Sequence, residues 1–394
     1  MNNAIEFPNG NRLPDPEPQQ APKKQKIVLD ERGMIDMPFL LITVLLVLIG
    51  VIMMFSASYA SAYAKEDSST YYFARQGMFA AVGIGIMLFV SRLNYQMWRF
   101  LSFPILGVTM VLMMVTPVFG LTGGGATRWI QLGPLSFQPS EVAKLAVILS
   151  FAAMISQYKD RMQTFKGLLP FAGILGILVL TLIFQRHLSG IVIICAVAAA
   201  MLFLGGAQLR WFALGIGAVA VFGVIYLNTM GYAAARITAW RDPWSDPQGS
   251  GYQIVQSLYA IGSGGLMGLG LGRSRQKYLY LPEEHNDYIF PIVCEELGFV
   301  GAMVIIVLFM LLIIRGYWIA MHARDRFGAL IAGGISTLLA LQVFFNIGVV
   351  TNFLPATGIS LPFFSYGGTA LLLQLFEMGL VLAVSRQSSN QLLY

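Results

Sequence analysis

Charged side chains gather where long apolar runs begin, and the richest of these clusters precedes residue 289. It contains Glu283, Glu284, His285 and Asp287. A carboxylate here can take a proton from a substrate hydroxyl group, which makes Asp287 a candidate general base. Asp287 can equally cap the helix that the next apolar run predicts, and a helix N-terminus would lower its basicity. The residues alone leave both interpretations open.

A second cluster lies at residues 128–144. Glu141 and Lys144 are three positions apart, so they share one face of a predicted helix and can form an ion pair. Arg128 can bind the oxygen atoms of a phosphate group through its planar guanidinium. The alternatives are a pair that only neutralises itself within a bundle and an arginine that anchors the chain at the membrane interface. A site for a polar ligand and a structural role therefore both remain open.

Other polar groups lie within or between the apolar runs, where an unpaired charge is costly. For Glu295, Glu296 and Glu377, a proton relay and a buried structural hydrogen bond are both open. Residues 354–368 contain two prolines and three glycines, which predicts a rigid non-helical turn that other parts of the protein cover. Non-helical backbone beside charged residues is also how membrane transporters bind substrates. The chemistry alone thus leaves an enzyme and a transporter as alternatives.

The elements that position these groups are long apolar runs. Of the 394 residues, 57% are hydrophobic and 11% are charged, whereas a soluble domain carries about a quarter charged residues. The runs are continuous rather than alternating, which predicts helices and not strands of a barrel. We predict an all-α polytopic membrane protein with about ten transmembrane helices. The predicted spans are residues 38–57, 73–91, 97–119, 139–157, 167–185, 188–206, 210–229, 289–314, 328–350 and 363–384.

The distribution of lysine and arginine predicts the orientation of the spans. Most of these residues fall in segments on the side of the N-terminus, which the positive-inside rule assigns to the cytoplasm. Both termini are then cytoplasmic, and the long loop at residues 230–288, between the seventh and eighth spans, lies outside. The proline-rich residues 1–36 predict a disordered cytoplasmic tail. Residues 37–385 then form the membrane domain, and residues 386–394 form a short cytoplasmic tail.

The pattern of charges, glycines and cysteines argues against several classes of function. The net charge of +6 is spread over the ends of the apolar runs, which argues against nucleic-acid binding. The glycines of residues 262–272 do not form GxGxxG, so nucleotide binding is not supported. Cys195 and Cys294 lie in apolar stretches and are predicted to be free thiols. The cluster around His285 lacks a metal-ligand spacing, so no metal site is predicted.

Five segments, in the same order, resemble the SEDS family of membrane proteins, which includes FtsW, RodA and SpoVE, and the similarity covers residues 38–385. The resemblance implies a peptidoglycan glycosyltransferase that polymerises lipid II at the outer face of the bacterial cytoplasmic membrane. The long N-terminal tail and residues 355–368 favour FtsW or SpoVE over RodA, with septal cell division as the expected process. The matching segments are Gly125-Ala-Thr-Arg-Trp129, Gln138-Pro-Ser-Glu-Val-Ala-Lys144, residues 262–272, Leu281-Pro-Glu-Glu-His-Asn-Asp287 with Glu295-Glu-Leu-Gly298, and residues 355–368.

The resemblance also implies roles for single residues. Asp287 matches the loop carboxylate that the family requires, so it is the expected catalytic residue. No cofactor is certain, although a divalent cation (magnesium or manganese) would suit a pyrophosphate leaving group. The expected substrate-binding residues are Arg128, Glu141, Lys144, Arg236, Lys277, Glu283, His285 and Ser365.

The expected partners are lipid II, a class B penicillin-binding protein that cross-links the strands, and other division proteins. The chain also departs from the family pattern. Gly124 stands where the family usually has Asn, and Arg186-His187 stand where it often has Pro-Asp, so any role of that Asp does not transfer. The alternative functions are a lipid II flippase and a non-enzymatic division scaffold.

Overall fold

The computed structural model of the protein describes residues 33–123, 126–132, 135–158, 162–217, 223 and 231–388. Within these residues, eight helices are long and apolar enough to cross a membrane, and a further apolar helix has 17 residues. The predicted polytopic helical fold is confirmed. Residues 209–217 of the predicted seventh span are helical, but most of that span lies outside the described residues, so the count of ten stays a prediction. Most of both predicted tails also lies outside them.

Several helices follow one another with short connections, whereas residues 120–138, 264–288 and 351–367 form longer ones among the described residues. The helices are α1 (Met37–Glu66), α2 (Tyr71–Val90), α3 (Met97–Phe119), α4 (Pro139–Gln157), α5 (Phe165–Phe184), α6 (Leu188–Leu204), α7 (Gly231–Arg241), α8 (Tyr252–Ser263), α9 (Ile289–Met321), α10 (Arg326–Val350) and α11 (Gly368–Arg386), with a 3-10 turn at Pro243–Ser245. Helices α2, α4, α6, α9 and α11 begin at the same end of the bundle, where residues 242–288 also lie. We call this end the loop end.

Local sequence signals set where several helices begin. The Asp36 carboxylate caps α1 by accepting a hydrogen bond from the backbone N–H of Phe39 at 3.0 Å. Asp325 caps α10 in the same way through the N–H of Gly328, also at 3.0 Å. Pro139 lies in the first turn of α4, where a backbone N–H has no helical partner to lose.

Three helices form the interior of the bundle. In the most apolar stretch of each helix, 83% of the residues are buried in α4, 72% in α10 and 67% in α11. In α1, α2, α3, α5 and α9 the share is between 22% and 44%. These outer helices direct the rest of their apolar surface away from the protein, which suits contact with lipid tails.

A small antiparallel sheet between α3 and α4 was not predicted. Strands β1 (Leu121–Gly123), β2 (Ala126–Leu132) and β3 (Leu135–Phe137) pair in that order. Thr122 pairs with Thr127, and Gln131 pairs with Ser136. Strands β1 and β3 have only three residues each, which is too short to show an alternating pattern in the sequence. The sheet matters for function because β2 carries Arg128.

Two helices are longer than predicted because polar residues within them find partners inside the protein. The predicted first span ends at residue 57, but α1 continues to Glu66, and the buried Ser61 hydroxyl in this extension lies 3.4 Å from Nδ1 of His285. The predicted eighth span ends at residue 314, but α9 continues to Met321. Arg315 lies within it and pairs with Asp36 at 2.8 Å.

The last helix begins later than predicted, at Gly368 rather than at residue 363. Residues 361–366 form a turn in which Leu361, Phe363 and Phe364 are buried. The backbone N–H of Phe363 donates to the Gln374 side chain at 2.9 Å, which fixes the turn against α11. The turn packs so closely on α1 that a Cβ at Gly50 would lie 2.5 Å from the carbonyl oxygen of Phe363.

The glycine-rich segment after α8 packs against a kink in α9. Gly298 has φ 69°, which interrupts the helical backbone of α9. Phe299 N donates to Gly265 O at 2.9 Å, and Leu269 N donates to Glu295 O at 2.9 Å. The segment therefore satisfies the backbone groups that the kink releases, and only glycines allow the two backbones to approach this closely.

Candidate active site

A cavity of about 570 Å³ lies at the loop end of the bundle. Residues near the first turns of α2, α4, α6, α9 and α11 line it, so five helix N-termini point towards one space. Helix N-termini favour negative charge in their vicinity. The ionisable side chains that line the cavity are Arg75, Arg128, Glu141, Lys144, His187, Arg236, Glu283 and Asp287.

Asp287 is held in the cavity wall by its neighbours. Its carbonyl oxygen accepts a hydrogen bond from the Asn346 side chain at 2.7 Å, and the same amide donates to Ile359 O at 2.8 Å. Asn346 thus ties Asp287 to residues 351–367, which have no helix. The N-cap residue of α9 is Tyr288, and no side chain caps that helix. The alternative that Asp287 caps α9 is therefore wrong.

The carboxylate of Asp287 is less acidic than an ordinary aspartate. Burial raises its pKa to about 6, and the nearby charge of Glu283 acts in the same direction. Arg236 and Arg128 lower the pKa and only partly offset these effects. Gly358, with φ +69°, approaches so closely that a Cβ on it would lie 3.2 Å from an Asp287 carboxylate oxygen. The carboxylate therefore has little room to move, and its pKa is shifted towards neutral pH.

The cationic residues of the cavity come from different elements. Lys144 pairs with Glu141 at 2.6 Å on α4, as their spacing predicted. Arg236 lies on α7 and donates to Ala356 O at 2.8 Å. Arg128 lies on β2. These side chains, which the sequence places far apart, border one space with Asp287.

Two of the expected substrate-binding residues do not line the cavity. Lys277 is buried, and its ammonium donates to Glu296 at 3.0 Å and to the Ser56 hydroxyl at 3.2 Å. His285 is also buried, and its ring stacks on Tyr72 with the centroids 4.9 Å apart. Both residues hold the loop in place. They are therefore left out of the proposed site.

Ser365 lines the cavity, but its hydroxyl is engaged within its own turn. It accepts a hydrogen bond from the backbone N–H of Leu361 at 2.8 Å. Its carbonyl oxygen accepts another from the Gln76 side chain at 3.2 Å. The Ser365 oxygen therefore helps to hold the turn that forms this part of the cavity wall.

The acidic residues inside α9 hold the loop by hydrogen bonds, which is the structural alternative left open by the sequence. Glu295 accepts hydrogen bonds from the Ser274 hydroxyl and from the backbone N–H of Arg275, the latter at 2.9 Å. Glu296 accepts from Ser274 N at 3.2 Å in addition to its bond with Lys277. Glu377 is buried in α11 and does not line the cavity.

The sequence reasoning missed two ionisable residues of the cavity. Arg75, near the start of α2, donates to the Tyr71 hydroxyl at 2.8 Å. His187 precedes α6 and is buried beside the cavity. Each lies at the loop end of a predicted span, and that shared position is the signal that would have identified them. Cys195 and Cys294 are free thiols, as predicted.

The whole membrane domain resembles known proteins. The sequence profile of the FtsW/RodA/SpoVE family, described as cell cycle proteins, matches residues 37–390. The chain belongs to this family. Among relatives of this FtsW/RodA/SpoVE protein, Stage V sporulation protein E of Bacillus subtilis is 42% identical over 357 residues, which are 90% of this chain and 97% of the relative. A probable peptidoglycan glycosyltransferase FtsW of Geobacter sp. strain M18 is 41% identical over 89% of this chain and 96% of its own length.

Solved structures share the fold of this FtsW/RodA/SpoVE protein. A chain from a peptidoglycan synthase complex superposes with a TM-score of 0.76 and 26% identity, covering 90% of this chain and 99% of its own. The rod shape determining protein RodA of Thermus thermophilus superposes with a TM-score of 0.68 and 26% identity, covering 90% of this chain and 98% of RodA. The helical membrane architecture predicted from the sequence is thus that of the family.

Proposed function

We propose that this protein is a peptidoglycan glycosyltransferase, an enzyme that polymerises lipid II into glycan strands. The observation that carries the proposal is Asp287, which borders the cavity and has a pKa raised to about 6. A base with a pKa near the working pH is suited to taking a proton from a hydroxyl group. The names of the FtsW relatives, which are similar along most of this chain, support the same activity.

In the proposed step, Asp287 accepts the proton of the 4-hydroxyl group of an acceptor GlcNAc sugar. The oxygen attacks C1 of the donor MurNAc sugar, and the bond between C1 and the pyrophosphate oxygen breaks. Undecaprenyl pyrophosphate leaves with both electrons of that bond, and direct displacement from the opposite face inverts the anomeric centre. General-base assistance is typically worth about 10²–10⁴ in rate.

Cationic side chains are available for the negative charge on the departing pyrophosphate. Arg75, Arg128, Lys144 and Arg236 all line the cavity. Such preorganised charges stabilise the leaving group most where water is excluded. Among the residues that the structure describes, no three His, Cys, Asp or Glu side chains come together as metal ligands. The proposal assigns leaving-group stabilisation to the four cationic side chains.

The proposal places the loop end outside the cytoplasmic membrane and both termini in the cytoplasm, with a role at the division septum. The excess of lysine and arginine in segments at the opposite end supports this orientation. A class B penicillin-binding protein is the proposed partner that cross-links the strands. The similar chain in a peptidoglycan synthase complex supports such a partnership.

The test uses the purified full chain in detergent with lipid II, and polymer is followed by gel electrophoresis. The wild-type protein is expected to make glycan strands. Asp287→Ala should lower the rate by roughly 10²-fold or more, because the base is lost. Asp67→Asn is the matched control, because Asp67 is an exposed acid at the same end, with φ 51°, a conformation that asparagine tolerates.

The outcomes separate the alternatives. A lipid II flippase makes no polymer in detergent, so absence of polymer with the wild-type protein would overturn the enzymatic proposal. A division scaffold would support growth of a depleted strain equally well with Asp287→Ala. Normal polymerisation by Asp287→Ala would show that the base is another residue.

A further inference from the structure

His187 lies at the junction between α5 and α6 and is 94% buried, with 6% of its surface exposed. Its ring lines the cavity. A Cβ added at Gly190 would lie 2.8 Å from Nδ1 and 3.0 Å from Cε1 of the ring, so that edge is packed against the first turn of α6. Nδ1 is the ring nitrogen that is enclosed by α6 and fully buried, which leaves Nε2 as the nitrogen that can face the cavity.

The protonation of His187 follows from this packing. Burial lowers its pKa to about 3, and the positive charges of Arg128 and Lys144 act in the same direction, so the ring is neutral at working pH. Nδ1 is buried without a hydrogen-bond partner. A buried N–H without a partner is more costly than a vacant acceptor, so the single proton resides on Nε2. The ring then offers one uncharged hydrogen-bond donor to the cavity.

The charges around the ring indicate which ligand atom it meets. Arg128 and Lys144 are both close enough to His187 to lower its pKa. Four cationic and three acidic side chains line the cavity, so a neutral residue at 187 leaves a surplus of positive charge there. A donor beside two cations suits an anionic oxygen, because hydrogen bonds to charged groups are the stronger ones. A carboxylate at this position would instead repel such an oxygen.

We propose that His187 is a substrate-binding residue that donates a hydrogen bond from Nε2 to a phosphate oxygen of a lipid-linked diphosphate, beside Arg128 and Lys144. The inference rests on the proposed function, since lipid II carries such a diphosphate. It adds a specificity element in which the diphosphate is recognised by two cations and an uncharged donor. Gly190 contributes to this binding site, because its lack of a Cβ leaves room for the His187 ring.

The test measures binding rather than turnover. Undecaprenyl pyrophosphate and undecaprenyl monophosphate are titrated against the purified full chain in detergent, and the unfolding temperature of each variant is recorded. His187→Leu is expected to weaken pyrophosphate binding about tenfold or more, the usual loss for a hydrogen bond to a charged group. His187→Asp should weaken it further through repulsion, whereas His187→Asn, which keeps an uncharged donor, should stay within about threefold of wild type.

Gly190→Ala provides a second variant that keeps the imidazole but displaces the ring, and it is expected to weaken binding in the same direction as His187→Leu. Pyrophosphate affinity unchanged in His187→Leu or His187→Asp would overturn the inference. An equal loss for monophosphate and pyrophosphate, together with a lowered unfolding temperature, would also overturn it by indicating a structural role. A wild-type protein that binds the pyrophosphate but makes no polymer would contradict the proposed function and leave the role of His187 intact.

Discussion

Asp287 is surrounded by groups that move its pKa in opposite directions. Burial and Glu283 raise it to about 6, while Arg236 and Arg128 lower it. A general base works only when ionised, so polymerisation needs Asp287 deprotonated. We expect kcat/KM to be level above about pH 6 and to fall about tenfold for each pH unit below it. Initial rates of lipid II polymerisation between about pH 5 and about pH 8 test this expectation.

The Glu283→Gln variant tests whether the fall in kcat/KM at low pH, the acidic limb of the pH profile, belongs to Asp287. The negative charge of Glu283 is the second cause of the raised pKa of Asp287. Its removal should therefore move the acidic limb to lower pH without abolishing it. Asp287→Asn should lose both the limb and most of the activity. A limb that persists unchanged in the slow residual activity of Asp287→Asn would show that another group titrates.

The residue types identified the side chains that need a polar partner, but not the partner that each of them has in the fold. Lys144 and Lys277 both lie beside apolar runs and were expected to bind substrate. Lys144 lines the cavity, whereas Lys277 is buried against Glu296. The difference depends on which distant residue the fold brings close to each lysine, and a single sequence does not contain that information. His187 stood out only as a departure from the family pattern, since nothing local shows that its ring faces the same space as Arg128.

The contact between the glycine-rich segment and α9 supplies a second prediction. A Cβ at Gly264 would lie 2.0 Å from the carbonyl oxygen of Cys294, whereas a Cβ at Gly262 would meet nothing within 4 Å. Gly264→Ala should therefore force the two elements apart and lower the unfolding temperature. Gly262→Ala should be neutral or slightly stabilising, because alanine favours helix by about 1 kcal/mol over glycine. Thermal unfolding of both variants in detergent measures the difference, and equal unfolding temperatures would contradict the close contact.

The ion pair of Lys277 and Glu296 attaches residues 273–277 to α9 and supplies a third prediction. Both side chains are buried, so Lys277→Met would leave an uncompensated carboxylate. Loss of one partner of a buried pair typically costs about 3–5 kcal/mol. We expect a clear fall in the unfolding temperature, and Lys277→Met combined with Glu296→Gln should recover a large part of it.

The neighbouring Arg275 offers a matched control for this pair, because it belongs to the same segment and its side chain is exposed. Arg275→Met should change the unfolding temperature little. If Lys277→Met weakened lipid II binding while leaving the unfolding temperature unchanged, Lys277 would be a substrate-binding residue after all, as expected from the sequence.

Element boundaries show where apolar patterning stops being informative. The start of α4 was predicted well because Pro139 marks a first turn. The start of α11 was not, because Phe363 and Phe364 look like part of the following apolar run, and only contacts with Gln374 and Gly50 hold this segment in a turn. The kink at Gly298 likewise depends on hydrogen bonds to a segment about 30 residues earlier. Long-range partners of this kind decide where helices end, and local composition does not contain them.

At the scale of the whole molecule, three buried helices form a support for the cavity. α4, α10 and α11 are the most buried spans, and each contributes residues to the cavity or holds them there. Lys144 lies on α4, and Asn346 of α10 fixes the backbone of Asp287. The outer helices turn apolar surface to lipid. The bundle therefore holds the charged side chains of the cavity at its loop end, next to a largely apolar interior.

This architecture gives a prediction on sidedness, on which the proposed reaction depends. Gln248, between α7 and α8, is exposed at the loop end, and Arg324, between α9 and α10, is exposed at the opposite end. With Cys195 and Cys294 replaced by alanine, Gln248→Cys should react with a membrane-impermeant maleimide in intact cells. Arg324→Cys should react only after the cells are permeabilised. Lipid II is polymerised outside the membrane, so a cavity bordered by Asp287 is useful only on that side. The reverse labelling would place the cavity in the cytoplasm, and an intact Asp287 could not then perform the proposed glycosyl transfer.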